Sequence, residues 1–278
     1  MRRMAPALAL GAAALVAVAG CGAQQNTVAL GNVKLAAADA VQQSAQKAEA
    51  VTSYSADVVL DTKGGGQQGS GKVQGSMLYQ SQPELATDIR LDTINFGGQN
   101  VPGGARAILT DETVYVKSEM LNRIGGITKP WVRVPLSQVG AEGQAEIRKF
   151  MDQARQFDLA GTVKLLTASK DVKAVGTETV GGVDTTHYSG TFPVAEAAQL
   201  VDPAQREKLQ EGLSHAKDVK FDLWADAQSL PRKVTLSGSE KDATFNLTAL
   251  FKGFNEPVEI TAPPADQVDD LPKGRTGN

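Results

Sequence analysis

With a single cysteine, Cys21, in 278 residues, this chain has no internal disulfide to brace it. Its two histidines, His187 and His215, form neither an H-x-H nor an H-E-x-x-H pattern, so the sequence offers no zinc ligand set. No G-x-S-x-G nucleophile elbow occurs. Aromatic residues are few, at two Trp, four Tyr and eight Phe. The N-terminal apolar run, Ala5 to Ala17, is shorter than the ~20 residues needed to cross ~30 Å of hydrocarbon. An excess of positive charge is also missing: 28 basic residues face 31 acidic ones. That balance disfavours nucleic acid or an anionic membrane surface as the main partner. What remains is a fold held by its apolar core, with no catalytic residue, metal site or cofactor motif in view.

The N-terminus carries the clearest signal. Met1-Arg2-Arg3-Met4 is basic, the next thirteen residues are Ala, Leu, Val and one Gly interrupted by Pro6, and Val18-Ala19-Gly20 ends at Cys21. This order of charged, apolar and small residues is that of a secretory signal peptide over residues 1–20. Small residues before the solitary cysteine resemble a bacterial lipobox, in which the thiol receives a diacylglyceryl group and Cys21 becomes the first mature residue. Arg2-Arg3 lacks the polar and aromatic context of twin-arginine export, which favours the general secretory route. Loss of residues 1–20 leaves 26 basic and 31 acidic residues, a net charge of −5. Residues 21–32 are small and polar and read as a lipid-anchored flexible tether.

Beyond the tether the hydrophobic period sets the elements. Leu35, Ala38, Val41, Ala45, Ala48 and Val51 recur at three- and four-residue steps, predicting a helix with a narrow, alanine-rich face. At Ser53 the period becomes two. Strands are predicted around Tyr54–Leu60, Val73–Tyr79, Leu85–Leu91, Arg106–Thr110 and Thr113–Lys117. Residues 118–139 read as irregular. Helices are predicted at 141–156, at 159–166 behind an Asp158 cap, and in two pieces over 193–217. Two further strands fall at 171–179 and 184–192, and three more at 219–224, 232–239 and 243–251. Residues 265–278 read as a disordered tail.

Most strands are joined by short hairpins, so the sheet is expected to be antiparallel rather than a parallel α/β arrangement. The expected fold class is α+β: a single large curved antiparallel sheet, a half-barrel of about ten strands, with helices packed across its concave face. One domain, residues 33–264, accounts for it.

Two apparent functional signals dissolve on inspection. Gly64, Gly66 and Gly69 satisfy G-x-G-x-x-G, but phosphate cradles need a helix to follow, and Lys72–Tyr79 has period two. Val73 also stands where a phosphate loop needs a hydroxyl. Glu178, Asp184, Asp218 and Asp222 could place carboxylates on one sheet face, an arrangement that solvated strands show commonly. Trp131 and Trp224 read as buried packing aromatics.

Several segments after Asp171 carry a family resemblance. Asp171-Val172-Lys173-Ala174-Val175-Gly176, Val180-Gly181-Gly182-Val183, Thr186 through Thr191, Trp224 through Val234, and Phe254 through Pro264 resemble the LppX/LprAFG-type actinobacterial lipoproteins, which have the LolA/LolB-like lipoprotein-carrier fold. The family pattern often has Gly where Ser229 stands, implying either a turn without a positive φ or mild strain.

The resemblance implies a cavity between sheet and helices that binds acyl chains or lipidated molecules. Aliphatic walls are needed there, and the alternating residues Tyr54, Val58, Leu60, Met77, Leu85, Ile89, Leu91, Ile108, Val114 and Val116 are the candidates, with plain core packing as their competing role. The expected protein is a monomer with no cofactor, anchored at the extracytoplasmic face of the cell membrane. It would bind lipid or another hydrophobic ligand and possess no catalytic activity. The alternative is a structural or regulatory envelope lipoprotein acting through protein–protein contacts.

Overall fold

The computed structural model describes residues 26–64, 69–119, 127–135, 159–201, 216–240 and 243–270, with 121, 203, 206, 207 and 209. The expected signal peptide, Cys21, the helix at 141–156, most of 203–217 with His215, and the tail beyond 270 lie outside them.

Among the described residues, helix α1 (Asn26–Glu49) leads into β1 (Ser53–Lys63), β2 (Gly71–Gln80), β3 (Ala86–Phe96), the short β4 (Gln99–Asn100), β5 (Ala105–Thr110), β6 (Thr113–Ser118) and β7 (Trp131–Pro135). Helix α2 (Leu159–Leu166), β8 (Lys173–Val180), β9 (Val183–Pro193) and the single turn α3 (Val194–Ala197) follow. The chain ends through β10 (Asp218–Asp226), β11 (Pro231–Glu240), β12 (Ala243–Lys252), a 3-10 turn (Ala265–Gln267) and β13 (Val268–Asp270).

All thirteen strands belong to one open sheet in the order β13-β7-β6-β5-β3-β2-β1-β12-β11-β10-β9-β8, with β4 paired to β3. Every pairing is antiparallel except β13 on β7. The expected open antiparallel sheet with helices on one face is what the chain forms. Three strands beyond the expected ten, β4, β7 and β13, have two, five and three residues. Runs that short carry little readable alternation. β13 also corrects the expected disordered tail: Asp269 accepts from Thr128 N at 2.6 Å and Lys129 N at 2.9 Å, and Asp270 pairs with Arg133.

The glycine run after β1 leads into a strand, β2, as its period requires. Val180 and Val183 face each other across Gly181 and Gly182, whose φ angles of 58° and 83° make the family-like Val-Gly-Gly-Val segment a tight hairpin turn.

Alanine sets how α1 meets the sheet. Ala37, Val41, Ser44, Ala45 and Ala48 are buried at helical spacing, and their small side chains allow a close approach to α2 and to β8. The buried stripe passes through Ala37 rather than the expected Ala38, which is exposed. The helix begins at Asn26, so residues 26–32 of the expected tether are helical instead. Leu159, Val163 and Leu166 bury one face of α2. Its first free N–H, at Leu159, donates to Tyr54 Oη at 3.3 Å. The resulting core joins α1 and α2 to Tyr54, Ala56, Met77, Phe192, Phe221, Leu223, Val234, Ala249 and Phe251. One side of the sheet is therefore the helix side.

Candidate ligand-binding face

Strand alternation sends every second side chain to the helix side, and the pairing registers identify which. Tyr54, Val58 and Leu60 of β1 share that face. Met77 joins them, lying between Ala56 and Ile89. Ile89 pairs with Ala107, and Ala107 with Val116, while Leu109 pairs with Val114. Leu91 lies opposite Gly75, which itself faces Val58. Eight of the ten sequence candidates are thus brought to one surface.

Two are not. Leu85 precedes β3 and belongs to no strand. Ile108 pairs with Asp88 and Tyr115, which puts it on the opposite side, 2% exposed. In Ala107-Ile108-Leu109 three consecutive apolar residues carry no phase, so alternation alone could not say which one faces the helices.

Register also adds residues that local pattern could not supply. Leu236 pairs with Leu247, Leu247 with Leu60, Leu60 with Val73 and Val73 with Ile94. This is an unbroken aliphatic row across β11, β12, β1, β2 and β3. At 4.7–4.9 Å per strand it is about 19 Å long. All five side chains are half-buried, unlike the closed core beneath α1.

Continuity of the row depends on a bulge. Gln74 faces Thr93 while Gly75 faces Leu91, so β3 holds one extra residue, Asp92. A Cβ on Gly75 would lie 2.1 Å from the Arg90 carbonyl oxygen, and one on Gly104 2.1 Å from that of Leu91. Glycine on both sides therefore permits the bulge that turns Ile94 to the helix side.

The next row toward the strand ends reads Gly238, Phe245, Thr62, Gly71 and Phe96. Its rings lie over glycines: an added Cβ would come within 2.6 Å of the Phe245 ring at Gly238 and 2.8 Å of the Phe96 ring at Gly71.

The opposite side of the sheet is polar and densely bonded. His187 stacks on Trp224 at 4.2 Å between ring centroids, with Lys233 Nζ over the indole at 4.0 Å. Its Nδ1 lies 3.0 Å from Glu178 and its Nε2 2.9 Å from Asp222, while Trp224 Nε1 donates to Glu178 at 2.9 Å. Burial would raise the Asp222 pKa, but hydrogen bonds from His187 and Ser189 and the Lys220 charge outweigh it and hold the carboxyl below the ordinary aspartate value.

Three of the four carboxylates considered in the sequence, Glu178, Asp218 and Asp222, share this side by alternation. Asp184 falls on the other and bonds Thr179. Both ring nitrogens of His187 are engaged, and no group of three or more His, Cys, Asp or Glu among the described residues could hold a metal ion. A hollow of about 530 Å³, mainly on the same side, is lined by Asp61, Lys63, Lys220, Ser237 and Asn246 together with Gly238 and Phe245, and its charged groups do not suit a buried acyl chain. Trp131 is also buried there, 5% exposed, with Arg106 5.5 Å and Lys117 5.9 Å from its ring centre.

Comparison with known proteins places this geometry. No family model matches the chain. It is 32% identical over 148 residues to an uncharacterized 31.2 kDa protein of the rplA-rplJ intergenic region of Streptomyces griseus, covering 51% of this chain and 48% of that protein. It is 26% identical over 196 residues to a candidate lipoprotein of Streptomyces coelicolor, covering 70% of this chain and 58% of that one. The matches thus span about half the length of these curated relatives. Among solved structures, LprF from Mycobacterium bovis superposes with a TM-score of 0.50 at 15% identity, over 82% of this chain and 97% of LprF. The chain has the LprF fold, which bears out the LppX/LprAFG resemblance at the level of fold.

Proposed function

We propose that this LprF-like chain is a membrane-anchored lipoprotein that holds an acyl-chain ligand, a lipid or glycolipid, against the helix side of its sheet. The observation carrying this reading is the row Leu236, Leu247, Leu60, Val73 and Ile94: five aliphatic side chains, each from a different strand and each left half-buried. Closing such a row by packing would contribute about 25 cal/mol per Å² of apolar surface covered. A bound acyl chain gains the same term. No side chain in the row is polar, so no donor or acceptor is stranded when water leaves.

On this reading Cys21 bears the diacylglyceryl group that ties the protein to the outer face of the cell membrane, where its ligand resides. Paired acyl chains make a durable anchor where one alone is marginal. On this reading the ligand is held without covalent chemistry, by apolar contact alone.

One variant tests both parts. The full chain carrying Cys21→Ser is expected in the soluble fraction and, under native mass spectrometry, to carry lipid in stoichiometric amount. A clean apo protein with no affinity for apolar dyes would sink the ligand reading and leave an interaction protein in its place. Persistent membrane association would sink the anchor.

A further inference from the structure

We propose that the strand ends bearing Phe96 form the mouth of the ligand face, and that Phe96 is the side chain that meets an acyl chain as it leaves a phospholipid bilayer. The proposal rests on the acyl-ligand reading above and adds where the ligand enters.

The two ends of the helix side differ. At the start of β1, Tyr54 stacks on Tyr79 with ring centres 5.0 Å apart and meets Phe251 edge-on at 5.9 Å. The chain just past β12 seals that end: Thr52 N donates to Asn255 Oδ1 at 2.9 Å, Asn255 N donates to the Ser53 carbonyl at 2.9 Å, and Ser53 Oγ donates to the Glu256 carbonyl at 2.6 Å. A chain-shaped ligand has no path between these groups.

Among the described residues the other end carries no such seal. Phe96 is 52% exposed, and it is the one aromatic among the exposed large hydrophobic residues described. It sits in the row immediately beyond the aliphatic one, so apolar contact runs without interruption from its ring through Ile94 and Val73 to Leu60. Gly71 keeps the floor beneath the ring low, and Thr62 disposes of its hydroxyl on the Gly71 carbonyl at 3.4 Å. The gap between Phe96 and Phe245 is therefore small-walled and without a free polar group.

Charge at this end fits a phospholipid. Lys63 and Lys72 are exposed on the same strand ends, next in sequence to Thr62 and Gly71 but on the sheet's other face, and Lys72 lies 4.0 Å from Asp61, too long for a strong ion pair. Both ammonium groups can meet headgroup phosphates while Phe96 meets the acyl region, the division of roles that places aromatic and basic side chains at bilayer surfaces.

The test separates entry from binding. Using the full chain with Cys21→Ser, stopped-flow fluorescence follows uptake of a labelled phospholipid from phosphatidylcholine–phosphatidylglycerol vesicles. A second titration measures affinity for a fluorescent fatty acid kept monomeric. Phe96→Asp is expected to slow vesicle uptake about tenfold, the loss of a half-buried phenyl contact at the barrier, with monomer affinity changed by less than about twofold. Phe96→Leu should restore most of the rate. Val175→Asp, which charges the 54%-exposed valine of edge strand β8, should leave both readouts alone. Uptake unchanged in Phe96→Asp, an equal slowing by Val175→Asp, or loss of monomer affinity along with uptake would each overturn the mouth. A parent chain that binds neither probe would instead overturn the ligand reading, and the mouth with it.

Discussion

Ser229 has a φ of 62°, in the left-handed region where a Cβ costs roughly 1–2 kcal/mol. The turn around it tolerates this because Asp226 over-determines the backbone. Asp226 Oδ1 accepts from Gln228 N and Leu230 N, each at 2.9 Å; its Oδ2 accepts from Arg232 Nε at 2.7 Å; and its carbonyl accepts from Ser229 N at 2.9 Å. The sequence left two outcomes open for Ser229, and the strained one holds. Ser229→Gly should relieve the strain but widen the unfolded ensemble, for a net gain of about 0.5–1 kcal/mol. Thermal unfolding would show this as a rise of about 2 °C in Tm, and an unchanged or lower Tm would place the strain elsewhere. The family-like segments prove structural for the same kind of reason. Asp171 accepts from Thr191 N at 2.7 Å and Ser169 Oγ at 2.9 Å, and a Cβ on Gly190 would strike the Phe221 ring at 2.8 Å.

At the scale of elements, β8 is the exposed edge, with seven of its eight residues open to solvent. Beyond its ladder and its contacts with α1, Glu178 ties it down, reaching His187 and Trp224 and so connecting through the ring to Asp222 on β10. The sequence made Glu178 and Asp222 candidates for one sheet face but held no sign of the imidazole between them. Carboxylates at positions 178 and 222 look like ordinary solvated strand residues until register places them on either side of one imidazole. The Asp222 pKa is lowered in the fold, so its carboxylate form contributes stability fully above the unfolded aspartate value of ~3.9. That contribution fades as pH falls through the lower folded value. Asp222→Asn should therefore destabilise by about 1–2 kcal/mol at pH 7, and the deficit should shrink at a pH below the unfolded aspartate value. Urea unfolding at the two pH values decides it, and a deficit constant with pH would mean that Asp222 acts through packing rather than charge.

For the molecule as a whole, the question is why helix-side apolar surface is present in excess of what α1 and α2 cover. Periodicity showed most of the strands and their phases, and the family resemblance made Val58, Leu60 and Leu91 candidates for a cavity wall. It could not show that β12, coded almost two hundred residues after β1, would lie beside it. That adjacency converts separate alternations in β11, β12, β1, β2 and β3 into one aliphatic row, and neighbours so distant in sequence leave no local trace. Residues on the same strand face opposite ways, so a role for the row can be tested apart from the stability of the strand. Leu247 lies in the row, whereas Leu250, three residues on, points to the other side and is 39% exposed. If the row holds the ligand, Leu247→Gln should cut retained lipid and apolar-dye affinity by about tenfold, the transfer cost of placing an amide against an acyl chain. Leu250→Gln should change neither, and both variants should keep the parent's circular dichroism. Equal loss in the two would assign the effect to the strand, and equal retention would make the row an ordinary, loosely covered core.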